Sequence, residues 1–562
     1  MPEISFDRYY RYEDLTSLLK AYAEEYPSLV KVTSIGQSYE GREIWMATVT
    51  DFTTGPDSDK PAFWCDGNIH ASEVSASTAV LKILDQLVSQ QPAVLQTRAF
   101  YLVPRLNPDG AEWALADIPK IIRSSTRPYP YDEEDPYGLE QQDVNGDGMI
   151  LSMRIEDPNG PWKISPEEPR LLTLRQPGDE EGPFYRVLPE GLLHNFDGDL
   201  IRRRRTKEGL DLNRNFPSGW RPESEQYGAG EYPTSEPEIR AAVQAITERK
   251  NICGAVTYHT FSGVILRPPG RHSDDEMAPE DLWTYDVFGK KGTAMSGYPQ
   301  ISVFHDFKYH PKEMITGVFD DWVYDHLGCF AWTVEIWSPQ RQAGITDYKY
   351  IDWFRSHPHS DDLKLLKWSD EALEGKGYHD WQPFDHPQLG RVEIGGWNSI
   401  FAFRNPPPAF LHQEVTPLAD WAIWLAGATP CLRLREVKQE DLGDVMKIKV
   451  IVENSGYLPT QVSERARSKG LARGVVSEIS LRGVTAPSLG QDAPDWLVSG
   501  KLRETHGQLK GWNGVPVGGF GYWLDSTDDR LVCEWVVKKG GTYEITVRHD
   551  RAGIVRVTID AS

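Results

Sequence analysis

Two hydrophobic patterns alternate along the first hundred residues, and that alternation limits the fold more than any other feature. Residues 12–26 place Leu15, Leu18, Leu19 and Tyr22 at helical spacing, with Pro27 just after them. Short β-prone apolar segments follow at 30–33, 44–50, 62–64 and 99–104, with a helix-like stretch at 77–87. Strands interleaved with helices build an α/β sheet containing parallel pairs. The pattern resumes later with helices at 236–250, 279–295 and 413–426 and strands at 255–258 and 329–336. The predicted class is α/β: a mixed, mostly parallel twisted sheet with helices on both faces.

Three stretches depart from this pattern. Residues 128–209 are rich in Pro, Gly, Asp and Glu and read as an insertion, since a structureless loop of that length is improbable in a compact domain. Residues 378–410 read as a linker or packing arm. After Leu432 the apolar period becomes two, at 445–453, 531–537, 542–548 and 554–559, which predicts an all-β sandwich.

Composition removes some function classes. With 60 Lys and Arg against 83 Asp and Glu, the chain carries −23 charges, which argues against nucleic acid as a partner. No apolar run approaches the ~18 residues that span a bilayer. The start, MPEISFDRYYRYEDL, has no basic or apolar leader region. Its five cysteines form no CxxC pair. A cytoplasmic protein is expected, with a secreted form cut from a longer precursor as the alternative. The oligomeric state stays open.

The chemistry concentrates in a few words of sequence. His70-Ala-Ser-Glu73 follows a buried strand, and His259 ends another. Two His and one Glu with a fourth position open to water make a catalytic zinc arrangement. HxxE alone is weak, because a helix-start His and a capping Glu read the same way. Asn213-Arg214 sets an amide beside a planar guanidinium, suited to a carboxylate. Glu335 stands inside the apolar run FAWTVEIW, where a carboxylate is costly unless it is paired or functional. Such a Glu beside a metal site is a candidate general base. In the insertion, Asp143, Asn145 and Asp147 with Gly148 resemble half of a calcium loop, but Arg154 stands where an EF-hand needs Glu. Calcium is carried as an expectation there, with an Asx-rich turn as the alternative.

Taken in order, these motifs resemble the zinc metallocarboxypeptidases of the carboxypeptidase A/B type, the funnelins. GQSYEGREI, HxxE, NPDG, an Arg motif, NRNFP, SEPE, the late His and the strand Glu run through residues 8–375. The resemblance implies His70, Glu73 and His259 as zinc ligands and Glu335 as the base acting on a zinc-activated water. It implies Arg123 as the group that polarises the scissile carbonyl, with Arg202–Arg205 as competitors, and Asn213 and Arg214 as the clamp on a terminal carboxylate. The substrate would be a peptide or small amide with a free C-terminal carboxylate.

Two departures matter. The family's mobile Tyr precedes Asp-Trp by about eight residues, but here that place is Glu313, and Tyr309 is the nearest Tyr. Asp320, just before Asp321-Trp322, matches the acidic pocket base of the carboxypeptidase B branch and implies a preference for basic C-terminal residues. The implied division is a catalytic domain at 1–430 and an accessory sandwich at 431–562. Rival readings are a zinc amidase or deacylase, a peptidoglycan-type carboxypeptidase, and a non-catalytic binding protein.

Overall fold

The computed structural model describes residues 3–310, 312–484, 494–513 and 526–561. Its centre is an eight-stranded sheet. In spatial order the strands are Val30–Gln37, Glu43–Val49, Ala99–Val103, Ala62–Gly67, Ile252–Thr260, Phe330–Ile336, Val264–Arg267 and Gln300–Ser302. The four inner strands, from Ala99–Val103 to Phe330–Ile336, run parallel, and antiparallel pairs flank them on both sides. The inner strands are buried along nearly their whole length, as expected of strands covered on both faces.

Helices Tyr12–Glu25, Ser75–Gln90, Pro279–Ser296 and Pro408–Ala428 pack on one face around Tyr258, Trp332, Trp337 and Trp421. Helix Pro237–Glu248 covers the other with Phe216, Phe319 and Trp322. This is the mixed α/β sheet with helices on both faces that the periodicity predicts. Among the described residues, no helix is long and apolar enough to cross a membrane. All five cysteines are buried and free.

The insertion has a fold of its own, and the reading of 378–410 as a linker needs correction. Strands Tyr378–His386 and Gly390–Trp397 form a hairpin. That hairpin joins Ser152–Glu156, Phe184–Pro189, Trp162–Ile164 and Leu172–Leu174 in one six-stranded antiparallel sheet. Val392 and Ile394 of the hairpin share a core with Leu151, Met153 and Leu193 of the insertion. Glycines and a proline in the hairpin mask its alternation, so only the inward pair Val392 and Ile394 betrays a strand. The insertion's ends are stitched together, Tyr129 N–H to the Lys207 carbonyl and Gly209 N–H to the Tyr129 carbonyl, 2.8 and 2.9 Å.

From Leu432 onward two four-stranded antiparallel sheets face each other. Ile448, Val450 and Trp535 from one meet Ile479, Ile545 and Val547 from the other in a shared core.

One buried carboxyl yields a stability prediction. Glu238, in the first turn of its helix, accepts the Tyr39 N–H at 2.8 Å through one oxygen, and the other has no partner. Burial pushes its carboxyl up from 4.5 to about 7. An acid raised in the fold is favoured protonated, so stability falls as pH climbs from about 4.5 through 7, and the full penalty applies above that. Glu238→Gln should therefore raise stability by roughly 2 kcal/mol at pH 8 and leave it nearly unchanged at pH 5. Thermal melts at the two pH values check this, and equal shifts at both would contradict it.

Candidate metal centre and active site

The parallel strands carry the candidate groups on one edge. His70 lies just beyond the C-terminal end of Ala62–Gly67, and Glu73 sits in the turn that leads into helix Ser75–Gln90. His259 lies one residue from the end of Ile252–Thr260. Glu335 stands directly opposite it on Phe330–Ile336, so both side chains project from the same face. The carboxyl ends of parallel strands are where α/β sheets place their ligand sites.

Three of these groups converge. His70 Nδ1 lies 2.9 Å from one Glu73 oxygen, and His259 Nδ1 lies 3.1 Å from the other. The two Nδ1 atoms are 3.1 Å apart, and all three residues are buried. One ligand atom from each fits within 4.8 Å of the others, the single such cluster among the described residues. The hydrogen bonding of His70 fits this set to a cation. His70 Nε2 lies 3.1 Å from Asp211, so its N–H is donated there. The lone pair of a neutral His70 then remains on Nδ1, facing a carboxylate oxygen. A divalent ion among these atoms turns that repulsion into ligation.

A supporting layer surrounds the three. Asp211 accepts from His70 through one oxygen and from Arg123 Nε through the other, at 2.9 Å. Burial would raise its carboxyl, but Arg123, Arg214 and His70 outweigh that and hold it well below the usual range. His259 Nε2 lies 3.5 Å from Thr257 Oγ1, which donates to buried Asp66 at 2.6 Å. Glu335 behaves oppositely to Asp211: burial and the charge of Glu73 push its carboxyl well above the usual range, although Arg123 and Arg404 pull it down.

The remaining candidates fall around this centre. Arg123 reaches Glu73 at 3.5 Å as well as Asp211. Arg204, one of the competing arginines, instead pairs with Glu134 and Glu140 in the insertion. Asn213 Oδ1 accepts the Phe319 N–H at 2.9 Å, tying the 213–214 segment to the loop that carries Asp320. Arg214 is mostly buried and hydrogen-bonds the Asn213 carbonyl at 2.7 Å. Asp320 is buried beside Arg214, with one carboxylate oxygen lacking a partner; burial pushes it up to about 6. Tyr309 is half-exposed on its loop, yet its phenol lies close enough to Arg123, Glu335 and Arg214 to feel their charges. Glu313 makes no ion pair among the described residues.

The calcium expectation finds no support. Both Asp143 oxygens accept backbone N–H groups, from Gly146 and Gly148 at 2.7 and 2.8 Å. Asn145 and Asp147 likewise accept from Asp147 and Met149 N–H, so the loop is a run of Asx turns.

Sequence reasoning passed over Asp211, Asp66, Thr257 and Arg404. Asp211 had a signal, two residues ahead of Asn213, because a ligating His needs an acceptor for its second N–H. Arg404 had none, since it lies 143 positions after Phe261, the ring its guanidinium approaches at 5.9 Å.

A mixed sheet that brings two histidines, a glutamate and a half-buried second carboxylate to its C-terminal edge is the build of a metallohydrolase. The chain belongs to the zinc carboxypeptidase family, which it matches over residues 15–138 and 143–353. A domain of unknown function (DUF8731) matches residues 431–560. Carboxypeptidase B of Astacus astacus is 24% identical over 341 residues, covering 58% of this chain and 86% of that protein. Carboxypeptidase D of Anas platyrhynchos is 31% identical over 111 residues, covering 19% of this chain and 8% of that much longer protein. The crystal structure of thrombin activatable fibrinolysis inhibitor is 16% identical, covers 75% of this chain and 74% of its own, and superposes with a TM-score of 0.43.

Proposed function

We propose that the protein hydrolyses the C-terminal peptide bond of peptides, with His70, Glu73 and His259 holding one zinc ion and Glu335 acting as general base. The observation that carries this reading is the convergence of two imidazole nitrogens and a buried carboxylate on one point, with a second carboxylate opposite on the next strand. Zinc bound there supplies a Lewis acid that polarises a carbonyl and makes water acidic at neutral pH.

The protein's own groups do the rest. Glu335, whose carboxylate is made a stronger base by burial and by the charge of Glu73, accepts a proton from the attacking water and delivers it to the departing amine. Arg123 is anchored by Asp211 and still 40% exposed, so its guanidinium can offer hydrogen bonds to the developing oxyanion. Arg214 and Asn213 bind the terminal carboxylate, which fixes the bond being cut. Tyr309 covers the bound residue from its loop.

Asp320 sets a preference for Lys or Arg at the C-terminus. Its unpartnered, buried oxygen is the feature that supports this, because a cationic side chain would supply the missing donor.

Chelation should abolish cleavage of a blocked dipeptide ending in Arg, and one equivalent of zinc should restore it. The melting temperature should rise with zinc, as a ligand that binds only the native state requires. A zinc-loaded protein that leaves such dipeptides intact would falsify the reading.

A further inference from the structure

The C-terminal sandwich packs against the turn that follows Asp320 and Asp321. Its loop between Leu458 and Leu471 lies against residues 323–328, the turn that joins Asp320 and Asp321 to the strand bearing Glu335. Contacts concentrate there. Arg465 pairs with Asp325 through one carboxylate oxygen, and Lys469 Nζ donates to the Asp325 carbonyl at 2.9 Å. Ser463 Oγ donates to the Gly328 carbonyl at 2.6 Å, and Arg551 reaches the Leu327 carbonyl. In return, Asp281 accepts the N–H groups of Glu464 and Arg465, at 2.8 and 3.0 Å. The surfaces meet without a gap at Gly328, which has φ +62°; a Cβ there would lie 2.6 Å from Ala466.

Asp325 passes this contact inward. Its second oxygen accepts the Ser218 hydroxyl at 2.8 Å and lies 3.3 Å from Arg271. The Ser218 carbonyl accepts the Gly317 N–H at 3.0 Å, and the Gly317 carbonyl accepts the Phe216 N–H at 2.9 Å. Phe319 N–H closes the set on Asn213 Oδ1. Gly317 sits so near the clamp, at φ +69°, that a Cβ would lie 2.3 Å from the Arg214 carbonyl oxygen. One hydrogen-bonded path therefore runs from Arg465 through Asp325 and Ser218 to the loop of Asp320 and to the Asn213–Arg214 pair.

We infer that Arg465 is a positioning residue: the sandwich holds the carboxylate clamp and pocket loop in register through its pair with Asp325. This extends the carboxypeptidase reading and rests on it. Asp325 is buried, so losing Arg465 leaves its carboxylate with Arg271 as its one ion-pair partner among the described residues, and the Ser218 tie loosens. Because the path ends on binding groups, substrate binding should suffer more than chemistry.

The test uses the full chain with Arg465→Ala, Arg465→Lys and, as a control, Arg556→Ala, which breaks a sandwich contact to Asp59 instead. Arg465→Ala should raise KM about tenfold for peptides ending in either Arg or Phe, with kcat changed less than about twofold. Arg465→Lys should recover most of the loss, and Arg556→Ala should change neither constant. Hydrogen exchange gives an arm independent of activity: the Gly317 and Phe319 amides should exchange about tenfold faster in Arg465→Ala than in wild type or Arg556→Ala. Unchanged exchange at those amides overturns the inference whether or not the enzyme is active. An inactive wild type with accelerated exchange overturns the carboxypeptidase reading and leaves the mechanical coupling standing. An active Arg465→Ala with wild-type KM overturns the coupling alone.

Discussion

Glu335→Gln should lower kcat by about a thousandfold while zinc content, fold and KM stay close to wild type. Glutamine keeps the shape and the strand register opposite His259, so the metal ligands are not disturbed. What it loses is the ability to take a proton. The expected size follows from the typical worth of a positioned general base, about 10² to 10⁴ in rate. A second effect adds to the first. Glu335 is held near Glu73 at the cost of carboxylate repulsion, so the amide should be more stable in place than the acid's charged form. The variant should therefore melt no lower than wild type. Steady-state kinetics beside metal analysis checks both halves. A variant that retains a tenth or more of wild-type kcat would remove Glu335 from the base role.

Asp320→Leu should exchange the substrate preference. For peptides ending in Arg, kcat/KM should fall by about a hundredfold or more, while for peptides ending in Phe it should rise. Truncating one partner of a buried charge pair typically costs about 2–5 kcal/mol, which is the range such a loss spans. The mutation also removes a buried carboxyl raised to about 6, with one oxygen unpartnered, so it should not destabilise the fold. Asp321, its neighbour, has a different task, since both of its oxygens receive the Gly270 N–H at 3.0 and 3.2 Å. Asp321→Leu should accordingly damage folding rather than invert the preference. Parallel assays on the two peptide series decide the matter: a wild type that already cuts Phe faster than Arg contradicts the role of Asp320.

The sequence carried six of the eight central strands, whose apolar runs differ in period from the helices between them; Val264–Arg267 and Gln300–Ser302, four and three residues long, were too short to read. Helix 12–26 and strand 44–50 differ from the structure by a residue or so at their ends. The sites with the strongest local signals, His70 with Glu73 and Glu335 within an apolar strand, could be read from spacing and from the cost of burying charge. Groups whose role depends on tertiary approach could not. Arg404 comes to Glu335 from a turn late in the chain, and Thr257 and Asp66 meet across neighbouring strands. The insertion was opaque for another reason. Its strands Trp162–Ile164 and Leu172–Leu174 have three residues each, too few for a period to emerge, and its strand Ser152–Glu156 finds one partner, Gly390–Trp397, only far along the chain.

The distant pairing of Ser152–Glu156 with Gly390–Trp397 shapes how the polypeptide reaches its native state. Arg154 and Glu393 pair across the six-stranded sheet from 239 residues apart. A ribosome adding about 5–20 residues per second would take tens of seconds to supply the hairpin after the insertion's strands have emerged. Through that interval Ser152–Glu156 has an unfilled edge, open to pairing with other nascent chains. Closing so long a loop is also entropically late, and late long-range pairing slows folding. Yield on expression should thus be governed less by the metal site than by how well cellular chaperones shield this edge until the hairpin arrives.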